Sequence, residues 1–233
     1  MSSILMVVTA ATSLTLTDGT EHPTGFWAEE LVVAHRELLA AGHTVTLASP
    51  GGVRPQADPG SLTAETVGDA TRAEEFRSYL AGIEDAIAHP ITLADMTVAD
   101  FDGIVLPGGH GPMTDLAFDA DLGRILAEAD AAQTLIAPFC HGPAGLLSAT
   151  SLDGSFVFSG RRLTVFTDEE ELTGGTGERT PWFVERTLAE RGAVIESGPA
   201  WSGHVVRDGN LISGQNPQSS EAVAAAVIEA LSA

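Results

Sequence analysis

The chain has 233 residues, 44% of them hydrophobic, which is enough to bury the core of one domain. Its formal net charge of −21 disfavours nucleic acid and anionic membranes as partners, since both select a positive surface. All 11 basic residues are arginine, which excludes Lys Schiff-base chemistry and a Walker-type phosphate loop.

Ser3–Thr9 is an apolar run that reads as the first strand. No basic segment precedes it, and its seven residues are too few to cross a bilayer. No other stretch reaches about 18 apolar residues. With one cysteine, Cys140, the expectation is a soluble, cytoplasmic protein in a reducing compartment. A polar loop, Ser13–Pro23, leads to an amphipathic segment, Gly25–Ala41, with Trp27, Leu31, Ala34 and Leu38 at helical spacing. His43–Ser49 alternates as a second strand. Residues 50–72, rich in Pro, Gly and Thr, read as a surface excursion, and 72–87 as helix. Val98–Pro107 is a buried strand that runs into the Gly108-Gly109-His110-Gly111-Pro112 turn. A helix over 119–132 precedes the apolar strand that stops at Cys140, and a helical stretch follows it. Phe156–Thr167 holds two short strand-like runs, 180–191 is helical, and His204–Ser213 is a hairpin around Asp208-Gly209. The last helix covers about 219–231. Alternating strands and helices imply one α/β domain over 1–233, with a doubly wound, mainly parallel sheet and helices on both faces. Ligand sites in such sheets lie beyond the carboxyl ends of the strands. The loop after strand one, the Gly-Gly-His-Gly turn and Cys140 all fall there.

The abrupt strand-to-helix turn at Cys140 has the form of a nucleophile elbow carrying sulfur. A helix start beside it would favour the thiolate. The alternative is a structural cysteine, since free Cys is often buried. His141 is a candidate base at the same elbow, or else a helix-start residue facing solvent. Glu29 and Glu30 open the first long helix; one, half-buried beside Trp27, would shuttle protons, or both are ordinary first-turn acids. Asp168–Glu171 is a run of four acids, mostly solvated, from which one could turn inward to orient His141. Gly108 and Gly109 offer amides for an oxyanion. The only histidine after His141 is His204, followed by two valines, so the downstream His-x-Glu pair of glutamine amidotransferases is missing. Dispersed histidines and a single Cys do not form a metal-ligand set.

Five motifs, Thr24–Glu30, Leu106–Pro112, Phe139–Pro143, Phe166–Glu171 and Gly209–Pro217, occur in an order that resembles the ThiJ/PfpI superfamily. The likeness is greatest to its heat-shock-type branch of glutathione-independent glyoxalases. The resemblance implies a flavodoxin-like α/β fold with Cys140 as nucleophile, His141 completing a dyad, and Glu171 as the acid after the sixth strand, with Glu170 one residue away. It implies Glu30 on the first helix, with Glu29 as the alternative. It further implies amides of Gly109 and His141 in an oxyanion hole, Gly108 and His110 beside the substrate, no cofactor and no metal, and a homodimer. The implied activity is conversion of a small carbonyl compound such as methylglyoxal to a 2-hydroxy acid. A hydrolase or hydratase, or a non-enzymatic stress chaperone or redox sensor, are the alternatives. Pro138-Phe139 departs from the usual small or β-branched residues, so Phe139 is expected to reshape the pocket.

Overall fold

The computed structural model describes residues 1–151 and 153–232. Its strands are β1 Ser3–Val7, β2 Ser13–Thr15, β3 Glu21–Pro23, β4 Thr44–Ser49, β5 Ile91–Thr92 and β6 Gly103–Leu106. They continue with β7 Leu135–Pro138, β8 Arg162–Leu163, β9 Val194–Ile195, β10 Val205–Asp208 and β11 Leu211–Gly214. The helices are α1 Ala28–Ala40, α2 Ala64–Val67, α3 Ala70–Gly82, α4 Glu84–Ala88, α5 Ala120–Ala132, α6 Asp168–Gly174, α7 Val184–Glu190 and α8 Ser220–Ser232. Seven strands form one sheet in the order β10-β11-β7-β6-β1-β4-β5, parallel except for the β10–β11 hairpin. The fold is the expected flavodoxin-like α/β arrangement.

The central strands are continuous apolar runs because both faces of the sheet are covered. Along β1, Ile4 and Met6 face one core with Leu31, Phe139, Ile212 and Val223, on the side of α1 and α8. Leu5 and Val7 face the other core with Leu122, Ile125 and Leu146, on the side of α5. From β1 the chain passes through α1 to β4 on one side, then crosses to β6 on the other. The connections that leave β1 (toward β4) and β6 (toward β7) therefore run in opposite directions, which opens a crevice at the carboxyl ends of these two strands.

Several local expectations change. The loop after β1 contains the β2–β3 ribbon. The predicted 72–87 helix is broken into α3 and α4 around Ile83. Of the two strand-like runs in Phe156–Thr167 only β8 forms, paired with β9 in a separate small sheet. The stretch after Cys140 is a 3-10 helix, Gly142–Ser148. The excursion at 50–72 braces the start of α1. Phe26 bridges Ala57, Thr24 Oγ1 donates to Asp58 at 2.9 Å, and the Ala28 amide donates to Ser61 Oγ at 3.1 Å. These contacts fix the first turn of α1, where Glu30 sits.

Candidate active site

Strand β7 ends at Pro138, and the chain turns at once through Cys140, whose φ of +57° lies in the left-handed region that L side chains avoid. The turn is held from several sides. The Cys140 amide donates to the Gly214 carbonyl at 2.9 Å, the Phe166 amide donates to the Cys140 carbonyl at 3.0 Å, and Gly142 N–H closes on Phe139 O at 2.8 Å. Such over-determined backbone is typical of functional sites.

His141, next in the chain, presents Nδ1 to the Cys140 sulfur at 3.3 Å and Nε2 to Glu171 Oε2 at 2.7 Å. With Nε2–H donating to the carboxylate, Nδ1 is left as an acceptor for the thiol proton. Phe166 stacks on the imidazole, with ring centroids 4.4 Å apart. Glu171 reaches inward from α6. Burial by itself would raise its pKa, but hydrogen bonds from His110 and His141 hold it well below the usual carboxylate range. Its Oε1 accepts from His110 Nε2 at 3.1 Å, from the Thr176 amide at 2.7 Å and from Thr180 Oγ1 at 3.2 Å. Burial and the neighbouring His110 lower the pKa of His141, so its ring is a neutral base.

Glu30 is fully buried; its Oε2 accepts the Gly108 amide at 2.6 Å. Among the described residues its Oε1 has no hydrogen-bond partner, and the carboxyl interacts with the Cys140 thiol. Burial pushes the Glu30 carboxyl up to about 8, so it carries a proton at neutral pH. Burial, together with the negative charge that Glu30 would carry, also pushes the Cys140 thiol up, against the Gly109 and His141 amides that favour the thiolate. The sequence expectation of a thiolate favoured by a helix start is therefore corrected. Desolvation outweighs the short 3-10 turn that follows the cysteine.

The neighbouring acids separate clearly. Glu29 points away, paired with Arg72 at 2.6 Å. Glu170 is buried but faces elsewhere: it closes a capping box with Thr167 and accepts from the Trp201 amide and Asn216 Nδ2, each at 2.7 Å. Gly108 does not offer its amide to an oxyanion, because Glu30 takes it. Gly109, at φ +88°, packs so tightly on the Gly25 carbonyl that a Cβ would collide with it; its amide approaches the Cys140 sulfur with that of His141. His110 serves the site through its ring, as a second donor to Glu171.

The cavity over the sulfur measures about 60 Å3 and is lined by Trp27, His110, Cys140, His141, Phe166 and Trp201, with Gly174 and Gly175 at its rim. Phe139 is absent from this lining. Its ring is buried beneath the sheet beside Met6 and Ile212, so the expected reshaping of the pocket does not occur. Thr176, Thr180 and Trp201 escaped the sequence reading, since nothing local marks a hydroxyl or an indole that acts across 5 to 60 residues.

The histidines converge more than their spacing implied. Ligand atoms of His22, Asp58 and His110, and of His110, His141 and Glu171, lie within 4.8 Å of one another. In the second group both carboxylate oxygens already accept hydrogen bonds from the two rings and from Thr176 and Thr180. In the first, the Asp58 oxygens are occupied by Thr24 Oγ1 and the Gly60 amide. Hydrogen bonding therefore accounts for the carboxylates of both groups.

Doubly wound sheets that raise a cysteine at the carboxyl end of a central strand form a recognisable class of α/β protein, and this chain falls within it. More narrowly, the chain belongs to the DJ-1/PfpI family, whose family model matches residues 22–230. It is 31% identical over 181 residues to the Glutamine amidotransferase-like class 1 domain-containing protein 1 of Bos taurus, over 76% of this chain and 80% of that protein. It is 27% identical over 220 residues to the Glutathione-independent glyoxalase hsp3101 of Schizosaccharomyces pombe, over 88% and 87% of the two chains. A crystal structure 38% identical in sequence superposes with a TM-score of 0.84 over 100% of this chain and 99% of the other.

Proposed function

We propose that the protein is a cofactor-free glyoxalase that hydrates small 2-oxoaldehydes to 2-hydroxy acids without glutathione. The observation that carries this reading is Glu30, a buried carboxyl that is protonated at neutral pH and faces the only thiol. For methylglyoxal, the sulfur adds to the aldehyde carbon. His141 Nδ1 takes the thiol proton, and Glu30 gives its own to the aldehyde oxygen, forming a hemithioacetal. Glu30 is then an ionised, strongly basic carboxylate beside the former aldehyde C–H. It removes that proton, His141 delivers the proton it took from the thiol to the ketone oxygen, and an enediol forms. Return of a proton to the second carbon, with loss of the hydroxyl proton on the first, leaves a thioester of Cys140. Water cleaves it to lactate and regenerates the thiol.

The size of the cavity supports this substrate class. At about 60 Å3 the cavity suits a small molecule better than an extended chain. Acyl transfer would also use Cys140, His141 and Glu171. That hydrolase reading, on an amide, ester or isonitrile, gives the buried Glu30 beside the thiol no task. The relative from Schizosaccharomyces pombe bears a glyoxalase name, in line with the first reading.

The test is lactate formation from methylglyoxal without glutathione. Cys140→Ala is expected to abolish turnover, and Glu30→Gln to cut kcat at least about 100-fold while leaving the thiol titratable. Turnover that survives either change would overturn the mechanism.

A further inference from the structure

The cavity has one wall that is neither sheet nor helix. Trp201 lies between β9 and β10 at φ +60°, a conformation rarely occupied by so bulky a residue. Buried Glu170 holds it there: its Oε1 accepts the Trp201 amide and also bonds Asn216 and, at 3.3 Å, Gln215. The indole N–H donates to Thr173 Oγ1 at 3.3 Å. The indole edge meets Phe166 with centroids 5.5 Å apart and lies flat over Gly174, where a Cβ would come within 2.5 Å of Cζ2 and Cη2. Trp201 is 42% exposed, yet it lines the cavity above Cys140. The arrangement is directional. A strained backbone, a buried carboxylate and a missing side chain at position 174 all place one aromatic plate over the sulfur.

We infer that Trp201 is the specificity-determining residue of the site, the plate that limits its substrates to 2-oxoaldehydes with a hydrogen or a short alkyl group on the second carbon. The inference rests on the glyoxalase reading for the identity of the substrate, but not for the geometry of the gate. On the inner side Cys140, His141 and Phe166 are buried in the elbow and its stack, and Trp27 with the Gly174–Gly175 backbone completes the walls. Of the side chains that line the cavity Trp201 is the most exposed, so its removal opens the site outward. An aryl group on the second carbon needs the volume that the indole now fills.

Trp201→Gly is the clean variant, because glycine keeps φ +60° without strain and removes only the indole. Two ratios are measured on folded protein, matched to wild type by circular dichroism. The first is kcat/KM for phenylglyoxal over methylglyoxal. The second is the rate of Cys140 alkylation by a bulky N-aryl maleimide over iodoacetamide, unambiguous because the chain has a single cysteine. Both ratios are expected to rise about tenfold or more, the scale on which a hydrophobic pocket discriminates size. Gly174→Ala, which displaces the same indole, is expected to move both in the same direction. An unchanged alkylation ratio in both variants overturns the gate whatever the turnover. A raised alkylation ratio with no lactate from any variant keeps the gate and rejects the glyoxalase reading. A raised alkylation ratio with methylglyoxal turnover but an unchanged phenylglyoxal ratio overturns the specificity role.

Discussion

At neutral pH the proton on Glu30 removes the charge that would otherwise oppose ionisation of Cys140, so the two groups act as one unit. The same proton has a consequence for stability. The folded pKa of Glu30, about 8, lies above its ordinary value of 4.5. Its contribution to stability is therefore fully present below about pH 4.5 and is lost as pH rises through 8, at up to about 1.4 kcal/mol per pH unit. Glu30→Gln removes this dependence. Urea midpoints taken from pH 5 to 9 should show the variant gaining on wild type as pH rises, and parallel curves would contradict the buried, protonated state. Glu171 titrates in the opposite sense: its pKa is held low, so its contribution is fully present above about pH 4.5 and is lost progressively as pH falls below it. At this scale Cys140, His141 and the choice among neighbouring acids had different legibility. The elbow was readable because an apolar run stops at a cysteine before Gly-Pro. Glu171 and Glu170 could not be separated by sequence, because consecutive residues of a helix point about 100° apart and only packing says which one faces His141.

Helix α6 shows how an element delivers two buried carboxylates to different tasks. Its capping box joins Thr167 Oγ1 to the Glu170 amide at 3.1 Å and Glu170 Oε2 to the Thr167 amide at 3.0 Å. The cap fixes the phase of the helix, and one residue further on that phase points Glu171 at His141. Thr167→Ala is expected to cost roughly 1–2 kcal/mol, since it removes the cap and one partner of buried Glu170. The denaturation midpoint measures the loss, and a change of under a few tenths would show that the box is not what holds α6. The acidic run that reads in sequence as a solvated surface is thus split: Glu170 and Glu171 are buried, Asp168 is half-buried and Glu169 is exposed. Alternation along the chain made the β1–α1–β4 unit legible. The β2–β3 ribbon and the break at Ile83 were not, because short elements depend on tertiary partners more than on local preference.

Across the whole molecule, 32 acids face 11 arginines, and a surplus of this size works against compaction through self-repulsion. Raising the salt from about 0.05 M to 0.5 M shortens the Debye length to a few ångströms and is expected to raise Tm by several degrees. A fall would mean that favourable surface pairs, such as Arg72 with Glu29, outweigh the repulsion. Among the described residues no helix is long and apolar enough to cross a membrane.

By itself the sequence determined the alternation of the main strands and helices, the two-sided burial of the sheet and the place of the reactive cysteine. These follow from local hydrophobic pattern and turn chemistry, which act over a few residues. Tertiary structure alone decided that Glu30 loses its charge, that Gly108 serves Glu30, that His110 joins Glu171, that Phe139 lies outside the pocket and that Trp201 roofs it. Each of these depends on desolvation or on contact between residues far apart in the chain. Neither quantity has a value until the sheet closes.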